Sequence, residues 1–128
     1  MKTIKQKVTF NASAKDVYEA LMDSKKHSAF TGAPANIGKK VGDKINAYGD
    51  WIEGENLELV QGKKIVQKWR GKDWNEGIYS IVTFNLKEKD GKTELEFTHE
   101  GVPQEHFKGI NEGWKEHYWD KMKKFFGK

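Results

Sequence analysis

Four histidines and one arginine carry most of the chemical reach of this sequence, because it contains no cysteine. Thiolate nucleophiles, thiolate metal sites and disulfides are therefore excluded. His106 and His117 stand about three helical turns apart, too far to hold one ion between them. Glu112 and Glu116 lie nearer to His117, but charged neighbours on one face of a helix are ordinary surface pairs. No metal site is expected. His99 shares the apolar parity of Leu95 and Phe97, which predicts a buried, neutral imidazole with a hydrogen-bonded partner, since burying the charged form costs too much. His27 falls in a short helix, either steering a ligand at a cavity mouth or capping the helix surface. Arg70, the only arginine among 23 basic residues, either binds a ligand carboxylate bidentately or pairs with Asp73. An exposed pair of that kind would be worth only about 0–1 kcal/mol. The chain holds no GxxxxGK[ST], GxGxxG, GxSxG or HExxH sequence, so no nucleotide cradle, nucleophile elbow or zinc-protease helix is present. No catalytic residue and no cofactor are expected.

The five tryptophans are more telling. Trp51, Trp69 and Trp114, with Phe30, Tyr79, Tyr118 and Met122, either fill a core or line a cavity where flat ligands stack. Both readings suit the same residues, and His27 and Arg70 would supply such a cavity's polar contacts. Trp74, in the polar loop 71–77 beside Asp73 and Glu76, is either an exposed contact for a protein partner or a loop anchor that folds back.

These side chains need elements to position them. From Gln104 to Phe126 the apolar residues Phe107, Ile110, Trp114, Tyr118, Met122 and Phe125 recur at the helical period, with a charged opposite face. That predicts one long C-terminal helix lying on something apolar. Residues 3–10 alternate as a strand with one wet face. Ser13 and Asp16 resemble a capping box opening a short helix to about Met22, and Asp23-Ser24 opens a second to about Phe30, ended by Thr31-Gly32-Ala33-Pro34. Strands are then expected over Lys44–Tyr48, Trp51–Val60, Lys63–Arg70, Gly77–Leu86 and Lys92–Glu100. Their turns are Tyr48-Gly49-Asp50, Gln61-Gly62-Lys63 and Lys89-Asp90-Gly91, the Asp-Gly step being a strong hairpin signal. Gly54 is a candidate bulge. Five consecutive strands between helices exclude a doubly wound parallel fold. The expected class is α+β, an antiparallel sheet of about six strands wrapped around the terminal helix, leaving a cavity between them.

At 128 residues the length suits one domain over 1–128. The net charge of +4 sets 23 basic against 19 acidic residues, and acidic residues interrupt nearly every basic group, so nucleic acid is not the expected partner. The N-terminus lacks the apolar core of a signal peptide. No apolar run approaches the roughly 20 residues of a membrane span. The expectation is a cytoplasmic protein with no membrane partner.

Several stretches resemble the activator of heat-shock protein 90 ATPase family: Lys63-Lys64-Ile65-Val66-Gln67-Lys68-Trp69-Arg70, then Asp73-Trp74-Asn75-Glu76-Gly77, then Ala29-Phe30-Thr31-Gly32-Ala33-Pro34-Ala35. The pairs Gly113-Trp114 and Tyr118-Trp119 fit the same likeness, which covers almost the whole chain. Asn75 stands where that family commonly has proline. The resemblance implies a helix-grip, START-like domain of the kind that forms the C-terminal half of the eukaryotic co-chaperone. It also implies heat-shock protein 90 as a partner.

Three functions compete. A carrier or sensor of a small apolar molecule would hide about 300 Å² of apolar surface for roughly 7.5 kcal/mol gross, against at least about 4 kcal/mol for association. A co-chaperone or stress-response module would bias the chaperone's ATPase cycle, an analogy resting on the likeness alone. An enzyme would need an acid and a base, and no titratable pair is placed to supply them.

Overall fold

The computed structural model describes residues 2–49, 51–75 and 77–127; Asp50 of the first expected turn and Glu76 of the tryptophan loop lie outside them. Strand β1 (Lys2–Phe10) buries Ile4, Val8 and Phe10 and exposes the lysines between, as alternation demands. Ser13 Oγ accepts from the Asp16 amide at 3.1 Å to start α1 (Ala14–Met22). The Asp23 carboxylate accepts from the Lys26 amide at 3.0 Å to start α2 (Ser24–Thr31), which ends on left-handed Gly32. Both caps are those the sequence signals.

Six strands follow: β2 (Asn36–Ile37), β3 (Lys44–Ala47), β4 (Ile52–Val60), β5 (Lys64–Gly71), β6 (Ser80–Lys89) and β7 (Lys92–Val102). With β1 they form a seven-stranded antiparallel sheet in the order β1-β7-β6-β5-β4-β3-β2. The additional strand is β2, whose two residues are too few for any alternation to reveal. Asp90 and Gly91, with φ of 56° and 78°, close the β6–β7 hairpin as a two-residue turn of the type that matches strand twist. Gly54 is not the bulge. The register slips between Asn56 and Glu58, while Gly54 stays in register opposite Trp69; that position takes glycine because a Cβ there would collide with the Lys68 carbonyl oxygen.

The terminal helix is less uniform than its stripe suggests. A 3-10 turn Gln104–His106 leads into α3 (Phe107–Trp114), then a π-helical turn Lys115–Trp119, then α4 (Asp120–Phe125). Within it the Asp120 N–H reaches back five residues to the Lys115 carbonyl. The wider turn brings two consecutive residues, Tyr118 and Trp119, onto the buried face at 3% and 4% exposure. It also shifts the phase beyond. Met122 stays buried, Phe126 packs on the core, and Phe125, expected in the stripe, is 42% exposed. The core is the aromatic layer between helix and sheet, where Trp114 lies 4.3 Å from Phe97, 4.9 Å from Trp69 and 5.5 Å from a stacked Trp119, centroid to centroid.

Candidate functional site

Between the first half of the terminal helix and the β3–β5 end of the sheet lies a cleft of about 740 Å³. Tyr48, Trp51 and Ile52 of the β3–β4 hairpin form one side. Trp69, Arg70 and Gly71 of β5, with Asp73 and Trp74 beyond it, form another. The helix contributes Glu105, His106, Gly109, Ile110, Gly113, Trp114, His117 and Tyr118, and His99 of β7 lies at the back. Gly109 and Gly113 keep the helix wall thin. A Cβ at Gly109 would meet nothing within 4 Å, and one at Gly113 would meet only the His117 ring at 3.5 Å. Glycine weakens a helix interior by about 1 kcal/mol relative to alanine, so space is gained here against helix propensity.

The polar atoms behind the aromatic wall are mutually satisfied. Trp114 Nε1–H donates to His99 Nδ1 at 3.0 Å. An indole only donates, so the imidazole proton is on Nε2, which donates to Ser80 Oγ at 2.6 Å. The Ser80 hydroxyl donates in turn to the Trp69 carbonyl at 3.0 Å. Burial pushes His99 down to about 3. A serine nucleophile needs the opposite tautomer, with Nε2 free to take its proton, so Ser80 and His99 are held as structure rather than as a reactive pair. Trp69 is fixed likewise: its Nε1–H donates to Gln67 Oε1 at 2.8 Å, and Gln67 Nε2 donates to the fully buried Asn56 at 3.0 Å.

Tyr48 and Tyr118 tie the cleft to its surroundings. Tyr48, at φ 53°, holds a backbone conformation unusual for a bulky residue, and its hydroxyl donates to the His117 carbonyl in the π turn at 2.7 Å. Its phenol is pushed up to about 12 by burial. Tyr118 donates to His27 Nε2 at 2.9 Å, while His27 Nδ1–H donates to the Leu21 carbonyl at 3.2 Å. Burial brings His27 down to about 4 and raises Tyr118 well above the usual tyrosine value.

Of the ligand-contact candidates, Trp51, Trp69, Arg70, Trp114 and Tyr118 converge on the cleft, and Trp51 stands 50% exposed at its rim. His27, Phe30 and Met122 are not among its lining residues. Helix α2 carries His27 and Phe30 to the far side of Tyr118, where the rings pack at 5.4 Å and 5.7 Å. Met122 lies a turn further along, fully buried in the core. Tyr79 faces outward because Ser80 takes the inward position, and its ring carries the Lys68 ammonium at 4.7 Å. Trp74 is not an exposed contact. It is 8% exposed and stacks on His106 at 5.9 Å, in room left by Gly71, whose Cβ would crowd it at 2.8 Å. Arg70 holds that loop from inside, donating to the carbonyls of Trp74 at 2.7 Å and Asn75 at 3.1 Å. Asp73 instead approaches His106 at 4.0 Å. Sequence reasoning does not mark Tyr48, Gly109 and Gly113 as cleft residues. The glycine pair at i and i+4 inside a helical stripe was the readable signal.

Among the described residues no group of His, Asp and Glu is placed to hold a metal, and no helix is long and apolar enough to cross a membrane.

Three comparisons bear on this architecture. The profile of the family described as Activator of Hsp90 ATPase homolog 1-like protein matches residues 11–127. The chain is 37% identical over 127 residues to the activator of 90 kDa heat shock protein ATPase homolog of Dictyostelium discoideum, covering 98% of this chain and 33% of that protein. It is 34% identical over 121 residues to the human homolog 1, covering 94% and 36%. The chain thus spans about a third of the length of these relatives. The crystal structure of an HSP90 activator from Plasmodium falciparum superposes with a TM-score of 0.93 at 25% identity, covering 99% of this chain and 97% of that one.

Proposed function

The chain belongs to the activator of Hsp90 ATPase homolog 1-like family, and on that premise we propose that it is a non-enzymatic binding domain that modulates the ATPase of a heat-shock protein 90. The observation that carries this reading is the end-to-end likeness to a solved HSP90 activator of matching extent. The silent Ser80–His99 pair supports a regulatory over a catalytic role, since it lacks an available base. The test is a titration of the purified chain into a heat-shock protein 90 ATPase assay, with NMR mapping on the chain. A changed turnover rate with residue-specific shifts is expected. An unchanged rate and no shifts on mixing would overturn the proposal.

A second reading is favoured by the cleft itself. A volume of about 740 Å³ walled by aromatic rings falls in the usual range of small-molecule sites, and supports binding of a small apolar molecule between sheet and helix. Native against denaturing mass spectra of protein purified from its own host test this directly. An added mass that leaves on denaturation is expected, and a clean apo mass together with no response to apolar probes counts against it.

A further inference from the structure

We propose that the occupant of the cleft is a small organic cation carried on a flat apolar body; this rests on the ligand-binding reading above and specifies its chemistry. Lysine supplies all but one of the 23 basic residues of the chain, yet among the described residues no lysine lines the cleft. Arg70, the one Lys or Arg among the described lining residues, has its guanidinium turned to loop carbonyls, with Nη2 on Trp74 and Asn75 and Nε toward Ile78 at 3.4 Å. Against it stand two carboxylates, Asp73 and Glu105, both on exposed residues at the rim. A protein of net charge +4 therefore presents an acid-leaning mouth at this place.

The donors of the wall point the same way. The indole N–H groups of Trp69 and Trp114 and the hydroxyls of Tyr48 and Tyr118 are all engaged by the protein itself. These four groups keep no donor proton free for a carboxylate or phosphate. What they present are ring faces, and ring faces attract cations, tryptophan most of all. With Trp51 half exposed, an apolar body can slide between rim and wall while its charge stays near the carboxylates.

The experiment compares three naphthalene probes of one shape: (2-naphthylmethyl)trimethylammonium, 2-naphthylmethanol and naphthalene-2-sulfonate. Binding to the whole chain is measured by calorimetry, with tryptophan indole N–H resonances as the reporter of place. The cation is expected to bind roughly 5- to 30-fold tighter than the neutral probe at low salt. The preference should shrink with added salt and vanish in the Asp73→Asn, Glu105→Gln double variant at unchanged melting temperature. Gly113→Leu, which fills the cleft from the helix side, should abolish binding of the cation with the circular dichroism spectrum retained. Equal or tighter binding of the neutral or anionic probe would overturn the charge assignment while leaving the ligand-binding reading intact. Indole resonances that none of the probes moves, or a cation that binds Gly113→Leu undiminished, would overturn both.

Discussion

Lowering the pH from 7 to 5 should remove roughly 4 kcal/mol of stability from this domain, through two buried histidines. In the native state burial holds His99 at about 3 and His27 at about 4. In the unfolded chain each returns to about 6.5. Below that value the unfolded state takes up protons that the native state refuses, so stability falls as the pH falls. By pH 5 each unfolded histidine is almost fully protonated, which linkage converts to about 2 kcal/mol apiece. Glu19 and Asp23 act elsewhere on the scale. Bonds from Lys26 hold both carboxyls below their ordinary range, so their contribution is present above about pH 4 and lost only below it. The pH 5–7 window therefore isolates the histidines. The assay is urea unfolding followed by tryptophan fluorescence at pH 7 and pH 5, at constant ionic strength. His99→Gln and His27→Gln should each flatten the dependence by about half. A change below about 1 kcal/mol, with the ring resonances of His27 and His99 titrating in the folded protein, would refute the reasoning.

Three further outcomes are expected. Trp114→Ala should lower stability by roughly 3–5 kcal/mol in chemical denaturation, because the ring is 4% exposed and touches Phe97, Trp69 and Trp119; a loss below about 1 kcal/mol would contradict its place in the core. Arg70→Lys, which keeps the charge but loses the two-nitrogen reach from the Trp74 and Asn75 carbonyls to that of Ile78, should lose about 1–3 kcal/mol. Limited proteolysis should then nick the loop 72–78 faster. Gly109→Ala should raise stability by about 1 kcal/mol in urea unfolding, since its Cβ meets no atom within 4 Å.

The fold was legible where local rules and tertiary demand agree. Ser13, Asp23 and Gly32 cap their helices as their types suggest, and Asp90-Gly91 turns as its φ preferences require. The stripe from Phe107 to Met122 located the helix, but not its π turn. A one-residue widening leaves no compositional mark, and it decides that Trp119 faces in and Phe125 out. The cleft was half legible for a similar reason. Aromatic residues announce themselves, but sequence groups Trp51, Trp69, Trp114 and Tyr118 with Phe30, Tyr79 and Met122, which do not line the cleft. Whether a ring meets a void or another ring depends on which helix crosses where, so His27 and Phe30, facing the same Tyr118 from α2, could not be separated from it by spacing. Sequence leaves Trp74 open between exposed contact and loop anchor, because its burial depends on Gly71 and His106, which only the folded loop brings beneath it.

The strand order has a consequence for how the chain assembles. Strands β2 to β7 are laid down as neighbours, each hairpin closing on the one before, whereas β1 pairs only with β7, bringing Phe10 opposite Thr93. Closing a loop of that span costs roughly 4 kcal/mol in chain entropy beyond the constant part, met only once the apolar face of β1 finds the completed meander. During synthesis β1 emerges well before β7, the strand it must wait for. Until then Ile4, Val8 and Phe10 have no sheet to join, and lysines at positions 2, 5 and 7 keep that waiting strand from pairing with another of its kind.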